Sequence, residues 1–187
     1  MRLASHDEVT FALPGSCPPT LTAAHTCGRS YLYSMHLKPL TGVKNMVCAA
    51  IVAMAIGLGA ITMGGGAQSI RAVWRPMTAV GGLIWHREMV MDIKDMDGDA
   101  MTGVRTVPVV FGARRALLLS LLPLSAALAA AATAKTGAAA LAATAPLAFQ
   151  GTAALWALMS GFARPAMVAA IELAPLWLLG TLVALCH

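Results

Sequence analysis

Residues 87–99 read Arg-Glu-Met-Val-Met-Asp-Ile-Lys-Asp-Met-Asp-Gly-Asp and hold Glu88, Asp92, Asp95, Asp97 and Asp99, five of the eight carboxylates in the chain. They follow directly on an apolar stretch of membrane-spanning character. An Asp at the centre of a membrane helix costs roughly 2.5 to 3.5 kcal/mol, so such groups persist where a cation or a polar cavity receives them. If the helix continues through the run, a rotation of about 100° per residue brings Asp92, Asp95 and Asp99 within about 60° of one another, with Glu88 on that face and Asp97 off it. Three aligned carboxylates repel unless a divalent cation sits among them. Hard oxygen ligands that leave coordination positions open suit Mg²⁺ carrying substrate phosphates. A solvated acidic helix end is the plain alternative, and it sits poorly with a run that adjoins a span and precedes a specific loop. A calcium EF-hand is excluded, because counting from Asp95 the sixth position is Ala100 and the twelfth is Thr106, where that loop needs Gly and Glu.

Composition fixes what surrounds these residues. The 187-residue chain is 58% hydrophobic and 11% charged, with a mean hydropathy of +0.74. These values lie outside the usual range of a water-soluble domain and predict an all-α, multi-pass membrane bundle. The formal charge of +5 falls mostly in short connections, with no basic stripe interleaved with aromatics, which argues against nucleic-acid binding. Cys17, Cys27, Cys48 and Cys186 show no metal-ligand spacing and read as plain thiols. Residues 1–30 lack an apolar run long enough for a signal-peptide core and read as a poorly ordered segment. Within them, Asp7 and Glu8 count against a transit peptide.

Five stretches, 46–63, 72–91, 116–134, 138–159 and 166–186, pass the spanning length of about 17 to 25 apolar residues. Gly57, Gly59, Gly81, Gly82 and many alanines allow close helix approach, which drives packing in lipid. The basic residues divide by side: Lys38, Lys44, Lys94, Arg105, Arg114, Arg115 and Arg164 against Arg71, Arg75 and Lys135. This bias puts the acidic run on the cytoplasmic, stromal or matrix face of a bacterial plasma membrane or of a plastid or mitochondrial inner membrane.

The order Arg87-Glu88, Asp92-x-x-Asp95-x-x-x-Asp99, Gly103-x-Arg105-Thr106-x-Pro108 and Gly112 resembles the second aspartate-rich region of the UbiA superfamily of intramembrane prenyltransferases. Upstream, Tyr33-Ser34-x-x-Leu37-Lys38 and Lys44-Asn45 before a span resemble the Tyr/Lys loop that joins that family's two halves. The resemblance covers residues 31–187, expected to form a partial prenyltransferase membrane domain equivalent to the last five helices of a nine-helix bundle. The family's first motif, Asn-Asp-x-x-Asp-x-x-x-Asp, has no match, since Asp7 is the only Asp before position 92. A complementing N-terminal half is therefore expected as a partner.

The resemblance implies Mg²⁺-dependent transfer of a prenyl group from an allylic polyprenyl diphosphate to an aromatic or other lipid-pathway acceptor. Asp92, Asp95 and Asp99 are then the metal ligands and catalytic carboxylates, holding Mg²⁺ against the diphosphate. Lys38, with Arg87 or Lys94, adds positive charge to phosphate oxygens. Tyr33 and Ser34 donate hydrogen bonds to the same group, and Arg105 organises the loop. Two other classes stand beside this one: a non-catalytic remnant or half-subunit of such an enzyme, and an acidic-mouthed cation channel or transporter, for which no half-repeat is visible. Among the remaining polar residues, Gln150 reads as interhelical glue, Glu172 as a headgroup-level carboxylate beside Arg164, His86 as a satisfied bundle histidine and the methionines as adaptable packing.

Overall fold

The computed structural model describes residues 42–134 and 136–186. Tyr33, Ser34, Lys38 and the segment 1–30 lie outside them. The described chain is helical without strands. Helix α1 spans Val43–Ala60 and passes through a π-helical segment, Ile61–Gly65, into α2, Gly66–Lys94. Two short helices follow, α3 at Met96–Met101 and α4 at Val107–Phe111; then come α5 at Ala113–Ala134, α6 at Gly137–Met159, α7 at Arg164–Glu172 and α8 at Ala174–Cys186. The architecture is the all-α, polytopic bundle expected from composition.

Among the described residues, four stretches are long and apolar enough to cross a bilayer: Val43–Met63, Ala113–Ala134, Gly137–Met159 and Arg164–Leu185. The expected span at 72–91 lies inside α2, whose 29 residues reach about 43 Å at 1.5 Å per residue. Its length suffices. Arg71, Arg75, His86, Arg87 and Glu88 dilute its apolar middle, and the bundle accommodates them by making α2 the central helix, packed against α1, α5, α7 and α8. The last expected span, 166–186, is two helices, because the chain leaves helical hydrogen bonding around Leu173 and Pro175 has no N–H to continue it.

Neighbours run antiparallel. Asn45 meets Met89 while Gly57 faces Met77 across the α1–α2 seam. Likewise His86 meets Ser120 and Gly82 abuts Pro123 between α2 and α5. Phe149 stacks on Trp177 at 5.4 Å between α6 and α8. These pairings collect the start of α1, the end of α2, α3, α4, the start of α5 and the start of α7 at one end of the bundle. Lys44, Lys94, Arg105, Arg114, Arg115 and Arg164 share that end, and Arg71 and Arg75 occupy the other. Two buried cores hold the bundle. One joins Met89, Val90 and Ile93 of α2 to Leu117, Ala154 and Ala170; the other joins Leu83 to Leu124, Ala127 and Leu147.

Gly82 shows how close the helices come. A Cβ added there would stand 2.2 Å from the carbonyl oxygen of Pro123, so the α2 and α5 backbones touch where only glycine fits.

Candidate functional site

Asp92 sits in the last turn of α2 and is buried, at 5% exposure. Its two oxygens are gripped from α1: Lys44 Nζ lies 2.5 Å from Oδ1 and Asn45 Nδ2 donates to Oδ2 at 2.8 Å. Lys44 and Asn45 are adjacent in the first turn of α1, so one turn of helix supplies both a cation and an amide to the same carboxylate. The amide nitrogen also contacts Met89 Sδ at 3.8 Å. With that nitrogen committed, Asn45 Oδ1 is a buried acceptor with no partner among the described residues.

The helix does not run on through the acidic run. α2 stops at Lys94, and Asp95, at φ −94° and ψ 5°, is the residue that opens α3. The Asp99 amide still donates to the Asp95 carbonyl at 2.9 Å, so the break is a change of direction rather than a gap. Its consequence is to separate the carboxylates: Asp95 and Asp97 are exposed, whereas Asp99 is buried together with Asp92. The expectation of one continuous face carrying Asp92, Asp95 and Asp99 is corrected accordingly. Among the described residues no three His, Cys, Asp or Glu side chains stand close enough to hold a metal by themselves.

The donor chemistry nevertheless fits a hard cation. Mg²⁺ is ordinarily held by one or two carboxylates plus substrate phosphates and water rather than by a full protein cage. Two buried carboxylates and the spare oxygen of Asn45 are donors of that kind. Lys44 keeps the buried charge of Asp92 compensated.

The loop after α3 folds as its residues demand. Gly103 adopts a left-handed φ of 73° and Gly112 one of 84°, conformations that glycine takes without steric cost. Thr106 is extended before α4, and Pro108 lies in its first turn, where its missing N–H goes unused. Thr106 is buried with its hydroxyl unpartnered among the described residues. Arg105 is exposed.

The cationic candidates are dispersed. Arg87 pairs with its neighbour Glu88 at 3.2 Å. Lys94 points elsewhere: two residues after Asp92 it lies about 160° round the helix, and it lines a cavity against α7 with Arg164. Lys44 and Asn45, which the sequence offers only within the Tyr/Lys-loop resemblance and without a role, are the side chains that hold Asp92. His86, fully buried, has its Nδ1 2.9 Å from Ser120 Oγ, and that hydroxyl donates onward to the Leu117 carbonyl at 2.7 Å. The imidazole therefore donates from Nδ1, while its Nε2 is buried with no partner among the described residues, so the expected satisfied histidine is satisfied at one ring nitrogen only. Gln150 donates to the carbonyl of Ala170 at 2.7 Å, next to the break between α7 and α8, and so joins α6 to α7 as interhelical glue.

The family model described as the UbiA prenyltransferase family matches residues 12–170. Among curated proteins, the digeranylgeranylglyceryl phosphate synthase of Thermococcus gammatolerans is 36% identical over 87 residues, 46% of this chain and 30% of that protein. That of Pyrococcus furiosus is 34% identical over 92 residues, 49% of this chain and 31% of that protein. That of Natronomonas pharaonis is 33% identical over 88 residues, 47% of this chain and 31% of that protein. The chain thus matches about a third of the length of these relatives. No solved structure gives a significant match. With its apolar helices and with residues 12–170 matched by one family model, the chain is an integral membrane protein of the UbiA prenyltransferase family.

Proposed function

We propose that this chain binds an allylic polyprenyl diphosphate with Mg²⁺ and serves in transferring its prenyl group to a lipid-pathway acceptor. The observation that carries the reading is Asp92: a buried carboxylate held by Lys44 and Asn45, at the basic end of the bundle and inside the segment that matches the family. In the transfer, the allylic carbon–oxygen bond breaks and its electron pair leaves with the diphosphate. The new bond forms from the acceptor to the same carbon, and the acceptor loses a proton.

The protein's part is positioning and charge. Asp92 and Asp99, with Asp95 at the mouth, are the ligands assigned to Mg²⁺, which when bound neutralises the charge that builds on the departing diphosphate. Lys44 is the cation nearest that site and, with Lys38 and Arg87, supplies fixed positive charge to phosphate oxygens, an effect strengthened where water is scarce; Lys94, on the opposite face of α2, is left out of that set. Tyr33 and Ser34 are assigned as hydrogen-bond donors to the same group. Apolar walls from α1, α2 and α5 keep water from the developing carbocation. For the acceptor, the names of the relatives favour a glyceryl phosphate that already carries one prenyl chain over an aromatic ring. Because the matched region is about a third of those relatives, a complementing half supplied by other chain segments belongs to the same proposal.

The test is retention of labelled geranylgeranyl diphosphate by the full chain in nanodiscs. Retention is expected with Mg²⁺, and a drop of about ten-fold, or roughly 1.4 kcal/mol, with EDTA, Asp92→Asn or Asp95→Ala. Retention indifferent to both the metal and the substitutions would reject the site.

A further inference from the structure

Lys94 and Arg164 both line a cavity of about 640 Å³ between the end of α2 and the start of α7, with Phe162, Met167 and Ile171 in its wall. Both cations are exposed. Neither makes an ion pair or hydrogen bond with any described residue. Glu172 completes the lining, eight residues after Arg164 and therefore about 12 Å further along the helix direction. Two cations and one carboxylate give this cavity a net charge of +1, and its floor is hydrocarbon. It lies on the face of α2 opposite Asp92, so it is separate from the diphosphate site. It opens at the basic end of the bundle, where lipid headgroups are met.

We propose that this cavity binds a membrane lipid with a singly charged phosphodiester headgroup, its phosphate between Lys94 and Arg164 and its upper acyl carbons against Phe162, Met167 and Ile171. A basic pocket between membrane helices at headgroup depth is what such a lipid recognises, and long basic side chains near helix ends reach readily to that level. Glu172 sets the charge limit. A doubly charged phosphomonoester would bring a second negative charge toward a carboxylate that no cation among the described residues neutralises.

The experiment is native mass spectrometry of the full chain released from nanodiscs, with dioleoyl phosphatidylglycerol, phosphatidylcholine, phosphatidic acid and inorganic phosphate as separate probes. Phosphatidylglycerol is expected to stay bound and phosphatidylcholine to leave. Arg164→Gln is expected to weaken phosphatidylglycerol about five-fold, the effect of one basic residue at a headgroup, and Arg71→Gln at the far end of α2 to leave it unchanged. Glu172→Gln is expected to raise the retention of phosphatidic acid relative to phosphatidylglycerol. Loss on Arg71→Gln equal to that on Arg164→Gln, retention of inorganic phosphate alone, or no headgroup preference would each overturn the proposal. Far-UV circular dichroism of each variant checks that the helices remain, so that a loss of lipid is read against a folded chain.

Discussion

Lys44 and Asp92, 48 residues apart in sequence, meet as a nearly buried pair, with side-chain exposures of 15% and 7%. The contact fastens the first turn of α1 to the last turn of α2 at the place where the acidic run begins.

Removing one member of that pair leaves a buried charge uncompensated, which typically costs about 3 to 5 kcal/mol. Lys44→Met is expected to lower the thermal unfolding midpoint in detergent substantially. The double change Lys44→Met with Asp92→Leu is expected to recover most of the loss, while diphosphate retention stays lowered as in Asp92→Asn. Thermal scans and the retention assay on the same preparations separate fold from site. Equal stability of the wild type and Lys44→Met would show that the pair carries no structural weight.

At the α2–α5 crossing, Gly82→Ala drives a methyl group into the Pro123 carbonyl. Backbone cannot yield as a flexible side chain can, so a loss of about 1 to 3 kcal/mol is expected. Gly151→Ala, whose new methyl would meet only Leu124 Cδ2 at 4.0 Å, is expected to be neutral. Unfolding midpoints of the two variants provide the comparison, and indistinguishable values would contradict the close approach.

Ser120→Ala removes the acceptor for His86 Nδ1 and leaves a buried donor unsatisfied, at a cost of about 1 to 3 kcal/mol. The expected signature is reduced stability with unaltered Mg²⁺ dependence of diphosphate retention. A shift in metal dependence would instead give His86 a part in binding.

Gln150→Leu deprives the Ala170 carbonyl of its partner beside the α7–α8 break. Interhelical hydrogen bonds in membranes average about 0.6 kcal/mol and reach about 1.7, so a modest loss of stability is expected. Faster amide exchange confined to residues 169–177 should accompany it. Uniform exchange along α6, α7 and α8 would show that the side chain does not tie the break.

The sequence makes the helices easy to find and the site hard to assemble. Spans at 46–63, 116–134 and 138–159 are legible because apolar runs of bilayer length have few other uses, and α1, α5 and α6 occupy them. The stretch 72–91 understates α2 at both ends, since a length test on apolar residues stops at Arg71 and Asp92 while the backbone hydrogen bonds continue. The break at Leu173 is signalled by Pro175 yet masked by the surrounding leucines. Periodicity places Asp92, Asp95 and Asp99 on one face only if the helix is continuous, and the turn at Asp95 depends on how α3 seats on α4 and α2, which no local pattern encodes. The partners of Asp92 are invisible for a related reason: a Lys-Asn pair opening a span carries no mark of a carboxylate 47 residues later until the α1–α2 register is known.

The five-residue connection between α1 and α2 also bears on biogenesis. A helix with charges near both ends enters a bilayer poorly by itself, and so short a link leaves α2 no freedom to wait in solution. The two must then be delivered by the insertion machinery as one hairpin, with α1 carrying its polar follower inward. A reporter glycosylation site placed after Lys94 is expected to show integration of α2 when α1 precedes it and failure when α1 is deleted.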